Sequence, residues 1–167
     1  MATTKFKGTE VELLGTEINV GDKAPAITVV NSDGLGDVTV GGASGKKQLI
    51  IVVPSLDTGV CATETRNFNA KAAALTDVDV TVVSLDLPFA AGRFCSAEGI
   101  NDLVVASDFR NKDFANAYGV LLGGSVLAGV TCRAIFAVNE EGIVTYKEIV
   151  PEITEEPEYD KALAAVK

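Results

Sequence analysis

Histidine is missing from all 167 residues. That absence removes the Ser-His-Asp and Cys-His nucleophile pairs, the usual haem ligand, and the commonest zinc and non-haem iron ligand sets. Cysteine is sparse: Cys61, Cys95 and Cys132 contain no Cys-x-x-Cys pair, so neither a structural zinc site nor a disulfide framework is expected. Positive charge is in deficit, with 14 Lys and Arg against 23 Asp and Glu, a net charge of −9. A basic surface for nucleic acid or for an anionic membrane is therefore not expected. No apolar run is long enough to span a bilayer, and the opening residues, Met1 to Gly8, lack the apolar core of a signal peptide. A cytoplasmic location without a membrane partner is the expectation.

What is present is a globular composition, 47% hydrophobic with the charges spread along the chain. The length suits one domain with a sizeable core. Without a repeat, low-complexity tract or linker, residues 1–167 read as a single domain.

The chain is organised around Pro54-Ser55-Leu56-Asp57-Thr58-Gly59-Val60-Cys61. Before it, Leu49 to Val53 reads as a buried strand. After it, Phe68, Ala72 and Leu75 recur at helical spacing. Cys61 thus sits where a strand passes through a loop into the first turn of a helix. Unpaired amides and the positive end of the helix dipole favour an anion there, and so favour thiolate, the nucleophilic form. With histidine absent, the groups left to activate Cys61 are backbone amides, a hydroxyl or an arginine.

Around this centre, weak alternation near Glu10–Leu14 between Gly8 and Gly15 predicts a short hairpin. Strands are predicted at Ile27–Val30, Asp37–Val40, Val78–Asp86 and Leu103–Ala106, and helices from Phe89 to Gly99 and Asp113 to Tyr118. The glycine-rich stretch Leu121–Val130 reads as a loop. Arg133–Val138 and Ile143–Val150 read as a hairpin across Asn139–Gly142, followed by a helix from about Glu158 to Val166. Alternating strands and helices predict one α/β sheet covered on both faces.

Pro54, Thr58 and Cys61 fit the pattern Pro-x-x-x-Thr/Ser-x-x-Cys, which resembles the active-site motif of the peroxiredoxin superfamily. The longer run Pro-Ser-Leu-Asp-Thr-Gly-Val-Cys resembles its bacterial thiol peroxidase branch. Asp86–Ala90, Arg93-Phe94-Cys95, Arg133-Ala134 and Glu152–Tyr159 follow in the order and spacing of that branch, so the resemblance covers nearly the whole chain. It implies a thioredoxin-like fold, with a central mixed sheet flanked by helices and an N-terminal β-hairpin. The activity it implies is reduction of organic and lipid hydroperoxides and of hydrogen peroxide. It further implies thioredoxin as the external reductant, a homodimer, and no metal or other cofactor.

The chemistry agrees with that assignment. A thiolate attacks the terminal oxygen of a hydroperoxide, so the site must keep sulfur ionised, align both oxygens and stabilise charge on the leaving oxygen. Cys61 supplies the sulfur and becomes sulfenic acid. Thr58, on the same turn, can place its hydroxyl near the sulfur and the attacked oxygen. Arg133 offers a fixed charge with several donors. Pro54, without an N–H, would shield the pocket. Read singly, Thr58 is also a helix N-cap, Pro54 a strand terminator and Arg133 an ion-pair residue.

The position of Cys95 resembles the branch's resolving cysteine, which implies an intramolecular Cys61–Cys95 disulfide reached by local unwinding near Gly59 and Gly92. Cys132 adjoins Arg133 and should face the opposite side of the sheet, which makes it a packing residue. Glu152 to Glu158 reads as a solvated loop and helix start. Phe89, Phe94 and Leu121–Val130 suit either an apolar substrate mouth or core and dimer contacts. Two other classes are weighed. A general thiol–disulfide oxidoreductase would carry Cys-x-x-Cys, but Glu64 stands three residues after Cys61. A non-catalytic thioredoxin-fold binding protein would need no Thr58, Cys61 and Arg133 set.

Overall fold

The computed structural model describes residues 2–167. The chain opens with a hairpin, β1 (Thr3–Phe6) against β2 (Thr9–Leu14), turned at Lys7 and Gly8. Both turn residues have positive φ, the geometry that matches the twist of a two-residue hairpin. Then follow β3 (Ile27–Asn31), β4 (Asp37–Val40), β5 (Lys47–Val52), α1 (Gly59–Ala72), β6 (Val78–Ser84), α2 (Pro88–Glu98) and β7 (Val104–Ser107). The remainder is α3 (Asp113–Ala117), β8 (Leu121–Leu122), β9 (Ala134–Val138), β10 (Val144–Ile149) and α4 (Tyr159–Ala164).

Seven strands form the main sheet in the order β10-β9-β5-β6-β7-β3-β4. Neighbours β5, β6 and β7 are parallel, and the outer pairs are antiparallel. Parallel neighbours need a crossover, which α1 and α2 supply. Side-chain alternation divides the core in two. Leu49, Ile51 and Val53 pack with Phe68, Ala91, Phe94 and Ala162, so α1, α2 and α4 cover one face. Ile50 and Val52 pack with Phe114, Tyr118, Val11 and Leu13, so α3 and the hairpin cover the other. On that second face the Phe114 and Tyr118 rings stack at 4.3 Å, and Tyr118 Oη donates to Pro25 O at 2.7 Å.

Two local departures from the sequence reading have physical causes. Leu121 and Leu122 are not loop. They pair with Leu14 and Leu13, making a separate three-stranded sheet with the hairpin. Gly123 lets that approach occur, because a Cβ there would lie 2.9 Å from the Leu14 side chain. Second, α1 starts at Gly59 and stops at Ala72, leaving Leu75 in a turn whose N–H bonds Ala72 O at 3.0 Å.

The hairpin also grips the segment after β10. Lys5 N donates to Pro151 O and Ile153 N to Lys5 O, each at 2.9 Å, and the buried Thr4 hydroxyl reaches Val150 O at 2.8 Å. This fixes the carbonyl of Ile153, which matters at the site.

Candidate active site

β5 delivers the chain to Pro54, which is buried, and the segment from Ser55 to Thr58 then turns it into α1. Asp86, just beyond the end of β6, anchors that turn. Its carboxylate accepts from the Ser55 hydroxyl and from Leu56 N–H, each at 2.7 Å, and from the Ser84 hydroxyl at 2.9 Å. Its own carbonyl accepts from the Ser107 hydroxyl. The turn into α1 and the ends of β6 and β7 are thereby tied to one half-buried residue.

Thr58 is the N-cap residue of α1, with extended backbone, but its side chain makes no cap bond. The hydroxyl turns back to Ser55 O at 2.9 Å, and the residue is exposed. Among the described residues this hydroxyl makes its hydrogen bond to Ser55 O and none to the Cys61 sulfur.

Cys61 lies in the first turn of α1 with no solvent exposure, packed among Leu56, Phe68 and the helix-side residues of β5. The first-turn amides have no intrahelical acceptors. Arg133 reaches the sulfur from the segment before β9, with Nη1 at 3.3 Å from Cys61 Sγ. Alternation explains its direction. Ile135 and Ala137 face the helices while Ala134 and Phe136 face the other core, so odd-numbered Arg133 points at α1. Cys132 is in the opposite core, fully buried, and burial pushes its thiol up to about 12.

Arg133 is itself buried, a costly place for a cation unless its donors are satisfied. Nε donates to Ile153 O at 2.9 Å, the carbonyl that the N-terminal hairpin holds. Nη1 donates to Glu64 Oε2 at 2.6 Å as well as to Cys61. Burial works against the guanidinium charge, and Cys61 and Glu64 outweigh it, so its affinity for the proton stays above the ordinary value.

Glu64 is the residue that sequence reasoning missed. It stands one helical turn after Cys61, on the same face of α1, and is completely buried. Desolvation raises its carboxyl from 4.5 to about 7, against the pull of Arg133. Its second oxygen, Oε1, is buried without a hydrogen-bond partner among the described residues. A glutamate three positions after a helix-N-terminal cysteine was visible in the chain. Its burial was not, because the covering Arg133 arrives 69 residues later. Asp86 was likewise seen only as part of a motif, not as an anchor.

Cys95 lies near the end of α2, half-buried against the same core as Cys61. Burial pushes its thiol up; a hydrogen bond with Ser32 opposes this, and the Asp33 charge adds to it. It lines a groove of about 740 Å³ together with Ser32, Asp33, Ser96 and Asn101. All three cysteines are free thiols.

The structure therefore brings Cys61 and Arg133 together, puts Thr58 and Pro54 on the adjoining turn, and sets Cys95 on the neighbouring helix. Among the described residues no cluster of His, Cys, Asp and Glu is arranged to hold a metal, and no helix is long and apolar enough to cross a membrane.

Comparison with known proteins identifies the family and the fold. The family model "Redoxin" matches residues 19–163. The chain is 52% identical to the thiol peroxidase of Aquifex aeolicus (strain VF5) over 165 residues, covering 99% of this chain and 96% of that protein. It is 51% identical to the thiol peroxidase of Campylobacter jejuni, covering 96% of this chain and 90% of that one. Among solved structures, a peroxiredoxin-like protein from Aquifex aeolicus superposes with a TM-score of 0.96 at 51% identity, over 99% of this chain and 96% of that one. A thiol peroxidase from Chromobacterium violaceum shares the fold at a TM-score of 0.86 and 21% identity, over 97% and 93% of the two chains. The sheet and its helices are the thioredoxin-like peroxiredoxin fold, and the chain belongs to the Redoxin family, in its bacterial thiol peroxidase branch, as a peroxidase of the peroxiredoxin type.

Proposed function

We propose that Cys61 is the peroxidatic nucleophile and that the preferred substrates are organic and lipid hydroperoxides, with hydrogen peroxide reduced less well. The observation that carries this reading is the 3.3 Å approach of the buried Arg133 Nη1 to the buried Cys61 Sγ in the first turn of α1. A guanidinium there favours thiolate and, once peroxide enters past the exposed Thr58–Gly59 corner, polarises its oxygens. The thiolate attacks the terminal oxygen, the O–O bond breaks, and the other oxygen leaves as alkoxide and takes up a proton. Cys61 becomes the sulfenic acid. Thr58, released from Ser55 O by rotation of its side chain, aligns the peroxide, and Pro54 keeps the pocket floor free of a competing N–H.

Cys95 then attacks the sulfenic sulfur, expelling water and leaving an intramolecular Cys61–Cys95 disulfide. A disulfide needs Cα atoms within about 7 Å, so both helical turns must loosen. Two features favour that. The first turn of α1 has no side-chain cap, and Gly59 and Gly92 sit in the turns concerned. A dithiol of the thioredoxin type returns the disulfide to two thiols by exchange. The cycle runs on thiols alone, without a resident metal or cofactor. The protein acts as one domain, as a homodimer, in the cytoplasm.

The test is peptide mass mapping of the reduced protein after one equivalent of cumene hydroperoxide, with remaining thiols alkylated. A Cys61–Cys95 link with Cys132 free is expected. A Cys61–Cys132 link would overturn the resolving assignment, and three free thiols would overturn the nucleophile assignment.

A further inference from the structure

Arg133 Nη1 serves two buried acids at once, Cys61 Sγ at 3.3 Å and Glu64 Oε2 at 2.6 Å. One guanidinium balances one negative charge. A thiolate and a carboxylate together would leave a net negative charge among fully buried side chains, where two acids sharing a site do not both ionise easily. We propose that Cys61 and Glu64 hold one proton between them, and that Glu64 stores it while Cys61 is the thiolate. The inference rests on Cys61 being the nucleophile.

Three observations support it. Among the described residues Glu64 Oε1 has no hydrogen-bond partner, and a buried oxygen in that position penalises a carboxylate far more than a carboxylic acid. The surroundings add negative charge. Glu148 on β10 and Glu156 before α4 both act on Glu64, and Tyr146 and Tyr159 on the same elements stay neutral, with burial raising both. Against them stands Arg133, the cation that meets Glu64 directly. Desolvation carries the Glu64 carboxyl to about 7, near the pH at which a stored proton can be both taken and returned.

The bookkeeping of the reaction closes without solvent. In the resting site the proton passes from Cys61–SH to the Glu64 carboxylate, giving Cys61–S⁻ and Glu64–COOH. Attack on ROOH forms the S–O bond, breaks the O–O bond and releases RO⁻. The stored proton converts RO⁻ to ROH and leaves Glu64 as carboxylate. Arg133 then has a single anion to serve, because the sulfenic acid is neutral. Glu64 is thus the proton-holding residue of the site, and Arg133 is the cation that both acids share.

The test compares the Cys95→Ser protein with Cys95→Ser/Glu64→Gln, reacted with one equivalent of cumene hydroperoxide in weakly buffered solution near pH 7, with an indicator dye reporting proton uptake. The carboxyl-bearing protein is expected to take up almost none, and the Gln protein about one proton per Cys61 oxidised. The second readout is the pH profile of the peroxide rate. With Glu64 the profile falls on the alkaline side, where both acids are ionised; Glu64→Gln removes that fall and Glu64→Asp restores it. Equal uptake in both proteins, or an alkaline limb that survives Glu64→Gln, overturns the proposal. If Glu64→Gln does not fold, the parent alone decides: uptake near one proton, or no alkaline limb, overturns it. A dimedone adduct on Cys61 is measured in parallel. Its absence overturns the nucleophile assignment, while its presence with equal uptake overturns only the shared proton.

Discussion

Replacing Asp86 by Ala should slow the peroxidase more than it weakens the fold. The Asp86 carboxylate accepts three hydrogen bonds, two of them at 2.7 Å from the turn that carries the chain into α1. Bonds to a charged acceptor contribute about 1.5–3 kcal/mol each when desolvated, and less where water competes. Asp86 is half-buried, so roughly 2–4 kcal/mol is the expected loss of stability for Asp86→Ala. Asp86→Asn should lose about half of that, because its amide oxygen can still accept from Leu56 N–H while its NH₂ group turns to the Ser55 hydroxyl. The kinetic effect follows from geometry. Without the anchor, the Ser55–Thr58 turn is held to β6 by nothing comparable, and displacement of reacting groups by about 1 Å costs up to about a hundredfold in rate. Stopped-flow oxidation by cumene hydroperoxide should therefore show kcat/KM for the peroxidation step down at least about tenfold in Asp86→Ala. Urea unfolding supplies the stability in parallel. A destabilised protein that oxidises at the parent rate would refute the reasoning and reduce Asp86 to a fold contact.

Glu64 makes stability depend on pH. Its folded carboxyl binds the proton more tightly than the unfolded one, so the stability it contributes is full below about 4.5 and is lost as pH rises to about 7. That shift corresponds to on the order of 3 kcal/mol, so the stability of Glu64→Gln relative to the parent should rise by about that much between pH 4.5 and 7 in urea titrations; a difference constant with pH would contradict it. Thr58→Val should cost under about 1 kcal/mol, since the lost bond to Ser55 O is exposed, yet lower the peroxide rate by more than about tenfold. Equal proportional losses would remove Thr58 from the chemistry. Cys132→Ala should cost about 1–2 kcal/mol of core packing and leave the peroxide rate unchanged, as measured by thermal unfolding and single-turnover kinetics; a slower reaction would show that the opposite core face reaches the site.

The parts of the site written in local sequence were the legible ones. The apolar run before Pro54 and the helical spacing after Cys61 placed the cysteine at a strand-to-helix turn, which is where β5 and α1 put it. Alternation through β9 sends Arg133 and Cys132 to opposite faces, and Arg133 meets Cys61 on the helix side while Cys132 lies in the other core. What escaped depends on contacts between distant segments. Leu121 and Leu122 carry a weak strand signal because glycine follows at once, and their partners Leu13 and Leu14 lie at the other end of the chain. Glu64 looks like an exposed helix glutamate until Arg133 closes over it. The direction of the Thr58 hydroxyl is a side-chain rotation that no spacing encodes.

In the proposed reaction one sulfur, Cys61, meets the peroxide. Fully reduced parent protein, Cys132→Ala and Cys61→Ser should each be mixed with excess cumene hydroperoxide in the absence of any external reductant, and the peroxide consumed within the first seconds counted. About one equivalent per chain is expected for the parent and for Cys132→Ala, and none above the uncatalysed background for Cys61→Ser. A full equivalent consumed by Cys61→Ser would contradict the proposed reaction.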